Sequence, residues 1–234
     1  MSHDPVIIAL DLDSAEEADK LVSALGESAG FYKVGMELFA AAGMDYVRSL
    51  IDRGKRAFLD LKYYDIGETV RRAVAVAARS GATFLTVHAV GQVMRAAVDG
   101  RGDSNLKLLG VTVLTSFDQQ DLIDMGHHCS VSELVASRVR QAMAAGIDGL
   151  VASPVEARAI RQLAGPDAIL VTPGVRSQGA AKGDQKRVAT PAEAVRDGAN
   201  YIVIGRQVTR AADPVAALAA IHEEVGPELV SSVA

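Results

Sequence analysis

The chain has 234 residues, 49% hydrophobic and 23% charged, with a net charge of −5. This composition supports a large core and excludes a disordered chain, and the acidic balance argues against a protein that coats nucleic acid. A single cysteine, Cys129, excludes an internal disulfide and suits a reducing cytosol, while no stretch approaches the ~20 apolar residues of a membrane span. Met1-Ser2-His3-Asp4-Pro5 lacks the basic start and apolar run of a secretory signal, so the reading is cytoplasmic. Apolar runs near 6–11, 31–36, 56–62, 83–89, 107–114, 148–152, 168–172 and 200–204 read as strands. They alternate with helix-like segments at 14–26, 37–53, 67–80, 131–145, 155–163, 191–197 and 214–224. Strand followed by helix, about eight times over this length, predicts an α/β chain folded as one (β/α)8 barrel of the TIM type spanning residues 1–234. An open doubly wound sheet would carry a Gly-rich turn after the first strand, and Asp11-Leu12-Asp13 is not one. Ser14-x-x-Glu17, Ser153-Pro154-x-Glu156 and Thr190-Pro191-x-Glu193 predict capping boxes, and Asp213-Pro214 predicts a further cap. The longest gap between strands, 115–147, opens on a polar loop at 117–121 and ends as helix.

In such a barrel the C-terminal strand ends form the active face. Asp11 ends the first strand. Lys33 stands alone in the second apolar run, where a buried lysine needs a partner; the alternative is a snorkelling surface lysine. The third strand runs into charge: Ala57-Phe58-Leu59-Asp60-Leu61-Lys62-Tyr63-Tyr64-Asp65-Ile66. Strand alternation puts Asp60 and Lys62 on one face and Leu59 and Leu61 on the other, with Asp65 just past the end. An ion pair on an exposed edge strand is the competing reading, but the run looks buried and burial makes charge expensive. Lys33, one strand away, lies within pairing reach of Asp60. His88 ends the fourth strand and reads as a packed structural residue before a catalyst. His127-His128 lacks a third ligand at a familiar metal-binding spacing. The fifth run leads to the hydroxyls of Thr115 and Ser116. The seventh closes on Arg176, followed by a polar loop to Arg187 that includes Gln185, and the eighth ends in Gly205-Arg206. Barrels often hold phosphate with the loops after strands seven and eight. Gly205 lets backbone N–H groups approach an anion, and Arg206 adds a planar charged fork.

Asp60-x-Lys62-x-x-Asp65-Ile66 resembles the signature of the orotidine 5'-phosphate decarboxylase family, and the similarity runs from about Val6 to Arg206. The resemblance implies removal of CO2 from carbon 6 of orotidine 5'-phosphate to give UMP in de novo pyrimidine biosynthesis. It implies no cofactor, no metal, and a homodimer whose subunits share their active sites. Carried over residue by residue, it makes Lys62 the proton donor and sets Asp60 beside the substrate carboxylate, orienting Lys62 and Lys33. Asp65 completes the charge array from the other subunit, and Thr69 touches substrate from there. Asp11 and Lys33 contact the ribose, and Thr115, or its neighbour Ser116, reads the pyrimidine edge. Arg176, Gln185, Gly205 and Arg206 grip the phosphate. The family commonly has His at Tyr64 and Pro-Asn at Gly67-Glu68, departures that alter the loop and leave the charged trio intact. A related barrel family of metal-dependent sugar-phosphate decarboxylases and aldolases shares the D-x-K-x-x-D strand but typically carries Glu where Lys33 stands. A noncatalytic nucleotide-binding barrel, holding UMP without consuming orotidine 5'-phosphate, is the rival from another class.

Overall fold

A computed structural model describes residues 4–178 and 187–226. Eight parallel strands close in sequential order into one barrel: β1 (Val6–Leu10), β2 (Phe31–Gly35), β3 (Arg56–Tyr63), β4 (Phe84–His88), β5 (Lys107–Val111), β6 (Gly149–Val151), β7 (Ile169–Thr172) and β8 (Tyr201–Ile204). Ile8 of β1 stands opposite Tyr32 of β2 on one side and Ile204 of β8 on the other, which seals the sheet. Closure removes the free edges that an open sheet would have to protect.

Outside the strands lie α1 (Ala15–Leu25), α2 (Met36–Asp52), α3 (Gly67–Ala78), α4 (Gly91–Arg101), α5 (Gln119–Asp124), α6 (Val131–Ala144), α7 (Ala157–Ala164), α8 (Pro191–Arg196), α9 (Arg206–Thr209) and α10 (Pro214–Val225). The strands read as unbroken apolar runs because both of their faces are buried. Ile7, Phe31, Phe58 and Val171 point into the barrel, whereas Ile8, Tyr32, Leu59 and Leu170 pack outward beneath the helices. Aromatic rings fill the lower interior. Phe84 lies 5.2 Å from both Phe31 and Tyr201 and 5.7 Å from Phe58, centroid to centroid. The Arg56 guanidinium sits 4.2 Å over the Phe31 ring and closes the bottom of this layer.

Several local expectations are corrected. The segment at 117–121 is not all loop, because Asp118 accepts from Gln120 N and Asp121 N and starts α5 with a capping box. Helices α4 and α9 were not expected. Helix α2 is broken at Gly43, whose φ of 64° no helical residue adopts. Thr190 and Glu193 form the predicted box, and Asp213 accepts from Ala216 N at 2.9 Å. Ser14 caps α1 by accepting from Glu17 N. Ser153 caps nothing: it is fully buried, and its hydroxyl donates to the Arg187 carbonyl at 3.2 Å.

Candidate active site

Above the aromatic layer the interior turns from apolar to charged. Inward positions alternate along each strand, so Ile7 and Ala9 lead to Asp11, Phe31 to Lys33, and Phe58 to Asp60. The β2–β3 register sets Lys33 opposite Phe58 and Gly35 opposite Asp60, and the Lys33 side chain reaches past Gly35 toward Asp60. Lys33 Nζ is 2.8 Å from Asp11 Oδ1 and 3.6 Å from Asp60 Oδ2. Lys62 Nζ is 2.9 Å from Asp60 Oδ1. Charges therefore alternate Asp11, Lys33, Asp60, Lys62 across three adjacent strands. Thr86 of β4, also buried, donates its hydroxyl to Asp60 Oδ1 at 3.0 Å.

Burial alone would lower the pKa of Lys33, but the Asp60 and Asp11 carboxylates outweigh it and hold the ammonium above its ordinary value. Burial would likewise raise Asp60. Its two lysines, and hydrogen bonds from Lys62 and Thr86, hold it below the ordinary carboxylate value instead. Lys33 and Asp60 thus favour their charged forms, because neighbouring opposite charges outweigh the cost of burial. Gly35 makes room for the array, since a Cβ there would stand 3.0 Å from Lys33 Nζ and 3.1 Å from Asp11 Oδ1.

A cavity of about 720 Å³ opens over this array, within the usual size for a small-molecule site. Asp11, Lys33, Asp60 and Lys62 line one part of it. Thr115, Ser116, Arg176, Gly205 and Arg206 also line it, so these expected pyrimidine and phosphate contacts face the same space as the charges. The wall beside Thr115 is pinned by Arg187, which donates to the Leu114 carbonyl at 2.9 Å and pairs with Glu156. Arg176 N donates to the Ala189 carbonyl at 3.0 Å, tying the chain after β7 back to the chain before α8. A Cβ on Gly205 would meet Ala9 Cβ at an ordinary 3.7 Å. What the glycine contributes is bare backbone at the cavity, not relief of a clash.

Two expected residues lie elsewhere in this chain. Asp65 is exposed, with its carboxylate accepting from Ile66 N at 2.6 Å, and Thr69 is exposed on the first turn of α3. Neither is among the residues lining the cavity. Gln185 falls outside the described residues. His88 packs 5.4 Å from the Tyr64 ring, centroid to centroid. Among the described residues no group of three His, Cys, Asp or Glu side chains is placed to hold a metal ion, so His127-His128 has no site to join. The sequence reading missed Thr86 and the Glu156–Arg187 pair. An interior position two residues before the end of β4 was the available signal for Thr86; for the pair, which joins residues far apart in sequence, there was none.

Residues 4–221 match the family model described as "Orotidine 5'-phosphate decarboxylase / HUMPS family". A protein of Rhodopseudomonas palustris named orotidine 5'-phosphate decarboxylase is 53% identical over 223 residues, covering 95% of each chain. One of the same name from Bradyrhizobium diazoefficiens is 51% identical over 226 residues, covering 97% of this chain and 95% of that protein. The crystal structure of orotidine 5'-phosphate decarboxylase from Lactobacillus acidophilus aligns with a TM-score of 0.82 at 40% identity, covering 95% of this chain and 99% of the other. Barrel, charge array and end-to-end similarity agree, and the chain belongs to the orotidine 5'-phosphate decarboxylase / HUMPS family.

Proposed function

We propose that this chain decarboxylates orotidine 5'-phosphate to UMP without a cofactor, as a step of de novo pyrimidine biosynthesis in the cytoplasm. The observation that carries the reading is the alternation of Asp11, Lys33, Asp60 and Lys62, with Lys33 and Asp60 shielded at its centre, along a cavity that Arg176 and Arg206 also line. In the reaction the bond from carbon 6 to the carboxylate breaks and its electron pair stays on the ring carbon. Lys62 stabilises that charge and delivers a proton to it, then regains one from water. At an effective dielectric near 20, two charges ~4 Å apart interact by about 4 kcal/mol, against ~1.4 kcal/mol for each tenfold in rate. Asp60 orients both lysines and flanks the substrate carboxylate, and Asp11 and Lys33 hold the ribose. Thr115 reads the pyrimidine edge. Arg176, Gln185, Gly205 and Arg206 take the phosphate, and binding energy from that remote end helps the site exclude water.

Lys33 also separates this reading from the related metal-dependent sugar-phosphate enzymes, where the resemblance expects Glu. Purified protein should consume orotidine 5'-phosphate, followed as loss of orotate absorbance, and should do so equally well in chelator. A protein that binds UMP but leaves the substrate untouched would be the noncatalytic barrel instead.

We further propose that residues 1–234 form one catalytic domain and that it works as a homodimer, with Asp65 and Thr69 completing the partner's site. Asp65 and Thr69 are exposed near a mouth where Met36, Tyr64 and Ile66 are large, apolar and exposed. Such a patch fits a second copy. Lys62→Ala and Asp65→Ala subunits, each inactive alone, should regain up to about a quarter of normal activity when mixed, because half the pairs are mixed and each holds one intact site. No recovery with mixed dimers demonstrably present would overturn site sharing.

A further inference from the structure

The β3–β4 ladder is not regular where the chemistry sits. Leu59 pairs with Leu85 and Tyr63 with Val87, so Asp60, Leu61 and Lys62 stand opposite Thr86 alone. Strand β3 absorbs the excess at Lys62, whose φ of 48° is the one left-handed value at a non-glycine among the described residues. Strain of that kind persists only where the surroundings impose it. Here it also turns the Lys62 backbone N–H out of the ladder, and a buried N–H must find another acceptor.

That acceptor is Thr86. Lys62 N donates to Thr86 Oγ1 at 2.9 Å, and the same hydroxyl donates to Asp60 Oδ1 at 3.0 Å. Asp60 Oδ1 also takes the Lys62 ammonium at 2.9 Å. The ring closes from the backbone of Lys62, through one hydroxyl and one carboxylate, to the side chain of the same lysine. Only a hydroxyl accepts and donates at one atom in this way. Thr86 is wholly buried, so water does not reach its place readily.

We propose that Thr86 is a positioning residue for decarboxylation: its hydroxyl fixes the bulged backbone of Lys62 and the carboxylate of Asp60 relative to each other. The inference rests on the decarboxylase reading above. Thr86 is not itself among the residues lining the cavity, and acts through the two lining residues it binds, Asp60 and Lys62.

Thr86→Val keeps the shape and removes both bonds. With orotidine 5'-phosphate as the probe, kcat should fall by about 10- to 100-fold, the scale set by small misplacements of reacting groups, and KM should stay within about threefold. Thr86→Ser restores the hydroxyl and should return kcat to within about threefold of the unaltered enzyme. Thr86→Val with undiminished kcat, or Thr86→Ser as impaired as Thr86→Val, overturns the proposal; the second outcome would assign the effect to packing of the methyl group. Should Thr86→Val not fold, Thr86→Ser and Thr86→Cys make the same comparison, being alike in shape and unlike in hydrogen bonding. Equal kcat for those two overturns the proposal as well. An unaltered enzyme that never consumes orotidine 5'-phosphate is a different result: it sinks the decarboxylase reading and this inference with it.

Discussion

Two clusters in this barrel have nearly the same composition and opposite placements. At the mouth, Asp60 sits between Lys33 and Lys62, with a hydrogen bond from Thr86. At the base, Asp148 sits between Arg101 at 2.5 Å and Lys107 at 3.3 Å, with a hydrogen bond from Leu108 N at 2.9 Å. The carboxylate side chains are similarly shielded, 13% exposed at the mouth and 16% at the base. Burial and pairing therefore do not distinguish an active site from a structural tie. Position does: Asp148 precedes β6 and clasps strand starts, whereas Asp60 faces a cavity at strand ends. The cations differ in the same sense. Arg101 and Lys107 point at a carboxylate already committed to backbone, while Lys33 and Lys62 line open space and can meet a ligand.

The sharpest way to break this comparison is to truncate one member of each cluster. Lys62→Ala should lower kcat by at least about a thousandfold, since it removes both the proton and the adjacent charge, with the melting temperature little changed. Near-normal UMP formation would remove the mouth cluster from the chemistry. Asp148→Ala should do the reverse. It strands two cations and one backbone N–H, so stability should fall by roughly 1–3 kcal/mol while kcat stays within about twofold. Urea unfolding and steady-state kinetics on the same preparations separate the two results. A base variant that unfolds no more easily but loses turnover would erase the distinction.

The sequence carried the mouth further than the base for a physical reason. Asp11, Lys33 and Asp60 interrupt apolar runs at inward positions, where strand periodicity points them into the barrel, and Lys62 joins them through the irregularity in β3. Arg101, Lys107 and Asp148 flank elements, where charge is ordinary, and only the three-dimensional closure brings them together. Helix α4 was hidden by Gly91 and Gly100. Gly100 reflects packing rather than a break, because a Cβ there would collide with the Arg71 carbonyl of α3. The Ser153 box failed because its sequence pattern is local, while burial gave its hydroxyl to Arg187 and its acid partner Glu156 to the same arginine. Thr86 escaped notice because its role depends on a register shift, and register is a property of two strands.

A smaller effect sharpens how tightly the mouth is built. Gly35→Ala would place a methyl 3.0 Å from Lys33 Nζ and 3.1 Å from Asp11 Oδ1. Both are ends of side chains, so they can yield, and the fold should survive. The yielding moves Lys33 within the array, and kcat/KM should fall about tenfold. Unchanged kinetics would mean that the Lys33–Asp11 contact tolerates displacement, as the base clasp is expected to.

The smallest expected effect concerns stability at the mouth rather than turnover. Charged arrays there leave cations beside other groups, and His88 is one of them. Burial first, then the neighbouring Arg138 and Lys62, push its pKa below the ordinary 6.5. The unfolded chain therefore takes up a proton near pH 6.5 while the folded chain does not, and stability must fall as pH drops through the interval between the two values. Asp60 behaves in the same direction but only at more acid pH, losing its contribution as pH falls from the ordinary carboxylate value through its depressed one. Lys33, raised, loses its contribution only as pH climbs beyond the ordinary lysine range. Between pH 5 and 7, His88 is thus the array's titrating neighbour. His88→Gln should flatten that part of the melting-temperature profile by about 1–2 °C relative to the unaltered protein. An identical slope in both proteins would show that the cationic mouth imposes no proton-linked cost through this histidine, leaving mouth and base alike in that respect.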